Sequence, residues 1–157
     1  MPGKPATVAD LTWIGDLEFA AAFPKHVHDA KRGVGVPAKR VLGAAAPGVI
    51  LDSSGTAGPS PVDALAAALA GCMATDVTDI LVKGRHPLRA LTSHLVAERA
   101  DTDPHRFVAV TLHFTIGGDV PPQVVERAIA LSRDKYCSVW HSMRQDIAFT
   151  VTFDVTA

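Results

Sequence analysis

The chain has 157 residues, 48% of them apolar, which suits a single compact domain over residues 1–157 that needs no disulfide staple. A formal net charge of -1 lacks the basic excess that an obligate nucleic-acid partner demands. The basic residues Lys31, Arg32, Lys39 and Arg40 are interrupted by Gly33, Gly35 and Pro37 and read as a solvated loop.

Residues 1–10, with Pro2, Gly3, Lys4 and Pro5, read as a flexible N-terminus without the apolar core of a signal peptide. Leu11 to Phe23 mixes Trp13, Ile14, Phe19 and Phe23 with Gly15 and predicts one or two short strands. Glycines and prolines punctuate Pro24 to Gly58, a loop-rich stretch in which two short strands fit, around Val27 and around Val49 to Leu51. Ser60 as N-cap, Pro61 at the first helical position and Asp63 as capping-box acid then open a long helix that runs to Lys83, with Gly84 as its stop. Residues 64–74 are almost wholly apolar, so this helix is expected to be enclosed by protein on all sides. Its most apolar run, Val62 to Thr75, falls short of the roughly 20 residues of a bilayer span. The expectation is a soluble, cytoplasmic protein with no membrane partner.

Strands are expected at Leu88 to Glu98 and Phe107 to Ile116, joined as a hairpin through Asp101 to Pro104. Pro121 and Pro122 open a helix to about Arg133, with Val125 and Ile129 inward; a short helix follows Cys137. Phe149, Val151, Phe153 and Val155 alternate with polar residues in a closing strand. The order is that of an α+β domain.

Cys72 and Cys137 are the two cysteines, and their separation excludes a CxxC motif. In a cytoplasmic chain they read as thiols rather than a structural disulfide. Cys72 lies on an apolar helix, where a cysteine acts as a small inert hydrophobe by default. Cys137 precedes a helix N-terminus and has Lys135 nearby, both of which favour a thiolate, so local physics makes it the more activated thiol. His26 and His28 could share one strand face, but no third ligand is evident and no metal site is expected. His141, one helical turn after Cys137, reads as packing or solvent-facing; Asp76 and Asp79 read as facing solvent or capping neighbouring loops. No glycine-rich phosphate loop is present, since Gly33-Val34-Gly35 is not followed by a helix; no cofactor is expected.

The segment from Ser60-Pro61 to Gly71-Cys72, with eleven positions between Pro61 and Cys72, together with Asp76-Val77, Leu131-Ser132 and Asp134 to Val139, resembles the paired motifs of the OsmC/Ohr family. The likeness is strongest to its YhfA-like branch and weakest between residues 20 and 57. The resemblance implies antiparallel sheets packed on a long central helix in an intertwined homodimer, with sites at the subunit interface. It also implies a thiol-dependent peroxidase: Cys72 reduces an organic hydroperoxide to an alcohol, and Cys137 resolves the resulting sulfenic acid as a disulfide that an external dithiol reduces. On the order of attack, family and local physics disagree; the family order, with Cys72 attacking, takes precedence because a partner subunit can supply electrostatics that one sequence does not show. Two features depart from the pattern. Val62 stands where the family places a Glu after the motif Pro, and the activating Arg is not identifiable, Arg32 and Arg40 being candidates by region. These departures keep open a non-enzymatic member that binds a small apolar ligand at the dimer interface, and a structural protein in which both cysteines merely pack.

Overall fold

The computed structural model describes residues 6–15, 18–22, 49 and 51–157. The expected strands around Val27, the His26–His28 pair, Arg32 and Arg40 lie outside the described residues. One five-stranded sheet forms the frame. Its strands are β1 (Thr7–Gly15), β2 (Glu18–Ala22), β3 (Leu88–Arg99), β4 (Phe107–Gly118) and β5 (Ala148–Thr156), in the order β2-β1-β3-β4-β5. Helix α1 (Pro61–Lys83) lies between β2 and β3 in sequence. Helix α2 (Pro122–Leu131), a π-helical turn (Ser132–Tyr136) and the short helix α3 (Ser138–His141) carry the chain from β4 to β5.

The sheet is mixed, which corrects the expectation of antiparallel sheets. Neighbours from β2 to β4 run antiparallel, but β4 and β5 are parallel, with Leu112 opposite Val151. Tight turns can join only antiparallel neighbours; here α2, the π turn and α3 form the crossover that returns the chain to the starting end of β4. β1 begins at Thr7, within the stretch expected to be a flexible terminus. It is held there by pairing, Thr7 to Ala97 and Val8 to Val96. Val49 and Leu51 are exposed and outside any strand. The adjoining chain is instead folded into a turn by Asp52, whose carboxylate accepts from the Ser54, Thr56 and Ala57 amides.

Helix α1 starts where its capping chemistry places it. The Ser60 hydroxyl accepts from the Asp63 amide, and the Asp63 carboxylate accepts in return from the Ser60 amide and hydroxyl. Its buried stripe, Ala66, Leu69, Ala70, Met73, Ala74, Val77 and Leu81, packs on β1 and β3 and meets Leu91, Leu95, Leu112, Phe114 and Ile116 in one core. The small residue Gly71 brings the helix within 3.4 Å of Leu11, counted from the position a Cβ would take. By length and composition α1 could cross a membrane, but its apolar stripe is spent on this sheet. The enclosure expected around residues 64–74 is not complete within one chain: Leu65 is 42% exposed, and Ala68 is exposed beside it on the same side.

Candidate functional site: a thiol pair with a carboxylate

Residues four apart on a helix lie on one face, so α1 presents Cys72 and Asp76 together. Both are half-buried. Cys137 arrives from the opposite direction. Widening the helix to a π turn after Leu131 ends α2, and the Cys137 amide donates to the Ser132 carbonyl at 2.8 Å. Cys137 then caps α3, its sulfur accepting from the Trp140 amide at 3.4 Å. Trp140 stacks at a tilt on Phe149, ring centroids 4.5 Å apart, and the Arg133 guanidinium covers the same Phe149 ring. Single-turn π bulges are common at functional sites; this one seats the second sulfur.

The two sulfurs and an Asp76 carboxylate oxygen all lie within 4.8 Å of one another. The Ser132 hydroxyl donates to Asp76 Oδ2 at 2.7 Å, and the Ser138 hydroxyl stands 4.0 Å from the Cys72 sulfur. Two thiols and a carboxylate are donors of the zinc type, but no fourth such donor joins them among the described residues. Asp76 also lines a depression of about 490 Å³ with Asp79, Ile80, Lys83 and Tyr136; Lys83 there pairs with Asp79 at 2.7 Å.

Burial decides the electrostatics. Cys137 has no exposed surface, and desolvation, with a hydrogen bond to Cys72 adding to it, pushes its thiol up to about 12 against the opposing Trp140 amide. This overturns the expectation that Cys137 is the activated thiol. α3 has four residues, too few for a strong macrodipole, and Lys135 is directed over the Tyr136 ring at 5.3 Å instead. Burial also raises the Asp76 carboxyl, the Asp79 charge adding to it, while the Ser132 hydrogen bond works the other way. Asp76 was expected to face solvent or cap a neighbouring loop; it takes the Ser132 hydroxyl of the π turn, and its place beside the sulfurs was signalled by its four-residue spacing from Cys72 and by its position in the motif. Asp63 is the capping-box acid, as expected. His141 is exposed at the end of α3, and no distance places it with the thiols.

A separate apolar cleft of about 300 Å³ opens near the start of α1. It is lined by Val62, Leu65, Phe107, Met143 and Ile147, with Arg99, Arg106 and Arg144 at its edge. Leu65 precedes Cys72 by seven positions, about 10 Å along the same side of the helix.

The domain is thus of the α+β class and sets a half-buried thiol and a fully buried one close together beside a carboxylate, an arrangement able to support thiol chemistry. The family model described as OsmC-like protein matches residues 53–152, and the chain belongs to that family. It is 37% identical over 120 residues to protein YhfA of Escherichia coli K12, covering 74% of this chain and 90% of that one. A hypothetical protein from Aquifex aeolicus superposes with a TM-score of 0.61 at 25% identity, over 63% of this chain and 75% of that chain. An organic hydroperoxide resistance protein OsmC from Legionella pneumophila superposes with a TM-score of 0.53 at 17% identity, over 62% and 71%; at that identity the likeness is one of fold.

Proposed function

We propose that the protein reduces organic hydroperoxides with this thiol pair. Cys72 attacks the terminal peroxide oxygen, the O–O bond breaks, and the alkoxide leaves as alcohol with a proton, so that the peroxide is reduced and Cys72 becomes a sulfenic acid. Cys137 then attacks the sulfenic sulfur, giving a Cys72–Cys137 disulfide and water. An external dithiol restores both thiols by exchange. The observation that carries this reading is the placement of both sulfurs within 4.8 Å, one half-exposed and one fully buried. An attacking thiol must be reached by substrate, and a resolving thiol must be near it but protected. The hydroperoxide resistance named for the Legionella relative agrees with it. Consumption of cumene hydroperoxide with dithiothreitol as reductant tests the proposal: turnover that vanishes in Cys72→Ser supports it, and turnover no faster than Cys72→Ser refutes it.

The working unit in this reading is a homodimer in the cytoplasm. Leu65 and Val82, 42% and 52% exposed on α1, supply apolar surface for a second copy, and sedimentation at low micromolar concentration should find no folded monomer. A second reading, binding of a small apolar ligand without turnover, is favoured by one observation. Val62, standing where relatives are expected to carry a Glu, lines the apolar cleft beside Leu65. Binding of an alkyl fluorophore that Leu65→Glu abolishes, with no peroxide consumption, would decide for it.

A further inference from the structure

The resolving step leaves a chemical problem that burial creates. Cys137 must lose a proton to attack, yet it sits with no exposed surface, and water cannot take that proton directly. One ionisable group besides the thiols reaches it among the described residues. Asp76 places a carboxylate oxygen within 4.8 Å of both sulfurs, is oriented by the Ser132 hydroxyl at 2.7 Å, and lines the open depression with Lys83 and Tyr136. One carboxylate thus faces the buried thiol, the sulfur it must attack, and solvent.

We propose that Asp76 is the proton acceptor for Cys137 in closure of the disulfide. The Asp76 carboxylate takes the thiol proton as the Cys137 sulfur bonds to the Cys72 sulfur, and returns it to the hydroxide that departs when the S–O bond of the sulfenic acid breaks. The sum is a thiol plus a sulfenic acid giving a disulfide plus water; the Cys72 sulfur is reduced and the Cys137 sulfur oxidised. Transfer is concerted with S–S bond formation, because a carboxylate is far too weak a base to ionise this thiol beforehand. The groups facing Asp76 are Cys72, Asp79 and Lys83 from α1, Ser132 and Tyr136 from the π turn, and Cys137 at the start of α3. Desolvation holds its proton affinity above that of an ordinary aspartate, which brings it nearer to a useful base.

The inference rests on the resolving role given to Cys137 above, but its test does not need a peroxide. One equivalent of the aromatic disulfide 5,5′-dithiobis(2-nitrobenzoate) added to reduced protein releases one thiolate as a mixed disulfide forms at Cys72. A second is released as Cys137 closes the ring and gives up its proton. The second phase should slow on the order of 10²-fold at neutral pH in Asp76→Asn. Its rate should then climb about tenfold per pH unit, as for a thiol that must ionise unaided, instead of levelling off once the carboxyl is ionised as in wild type, while Asp76→Glu recovers part of the lost rate. The first phase should persist. A second phase within about three-fold of wild type, with the levelling-off intact, overturns the proposal. Ser132→Ala gives an independent reading should Asp76→Asn not fold. It removes a hydrogen bond that favours the carboxylate, so the levelling-off should move to higher pH; an unmoved profile again overturns it. If hydroperoxide is never consumed yet the second phase depends on Asp76, the peroxidase reading fails and the Asp76 assignment stands.

Discussion

Alkylation of the folded protein at neutral pH should distinguish the two cysteines by orders of magnitude. The thiolate is the species that reacts, and the Cys137 thiol is pushed up to about 12. At pH 7 about one Cys137 in 10⁵ is ionised, against about 3 in 100 for an unperturbed thiol near 8.5. Ionisation alone therefore slows Cys137 by about three orders of magnitude, and its complete burial slows it further by denying the reagent access. Cys72, half-exposed, has no such barrier to access. The assay is a time course with iodoacetamide, quenched and read by mass spectrometry of the two cysteine peptides. Cys72 should be modified first and Cys137 should stay unlabelled until guanidinium unfolds the chain, after which both react alike. Labelling of Cys137 at a rate comparable with Cys72 in the folded protein would refute the argument that burial outweighs the helix terminus and Lys135.

The same shift has a consequence for stability. A thiol whose proton is held more tightly in the folded state contributes stability that is complete below its unfolded value, near 8.5 to 9, and is lost as pH rises toward about 12. Urea unfolding followed from pH 8 should show wild type losing little up to about pH 8.5 and then approaching about 1.4 kcal/mol per pH unit by about pH 10.5, relative to Cys137→Ala; parallel curves contradict this. Asp76 carries a raised carboxyl too, so its ionisation costs stability once pH passes its unfolded value of about 4. Asp76→Asn should accordingly gain on wild type as pH rises above about 4, the gain fading as pH falls back toward about 4 and absent below it; a difference that does not change with pH would contradict the shift. Ser60→Ala removes the hydroxyl that accepts from the Asp63 amide and donates to its carboxylate, leaving the Ser60 amide's bond in place, and should cost about 1 kcal/mol, measured as a lower urea midpoint at unchanged slope.

What could be read from the residues alone follows the range of the forces involved. The α1 boundaries rest on a cap made within four residues, Ser60 to Asp63, and strict alternation marked β4 and β5. The parallel pairing of β4 with β5 was not legible, because it depends on where an entire crossover sets the chain down. Val49 and Leu51 have strand-forming side chains, but both lie outside any strand and lead into the Asp52 turn, closed by the Asp52 amide on the Pro59 carbonyl. The site divides the same way. Both sulfurs were identifiable from the motifs that carry the family likeness. The state of Cys137 was not, since charge and helix position can be counted in a sequence while the enclosure by α1, Trp140 and the π turn cannot. Asp76 was visible in the motif but not as a member of the site, because an aspartate in an apolar helix ordinarily faces water; the fold brings Ser132 and the second sulfur around to it.

The account turns on one pairing, and a single-turnover oxidation tests it most directly. Reduced protein treated with one equivalent of cumene hydroperoxide, without any external thiol, should yield one equivalent of the alcohol. The intact chain should lose two hydrogens, and non-reducing peptide mapping should place a Cys72–Cys137 disulfide within one chain. Cys137→Ser should instead accumulate the sulfenic or sulfinic acid of Cys72. Recovery of both free thiols with the peroxide unconsumed, or a sulfenic acid on Cys137 with Cys72 untouched, would contradict the account.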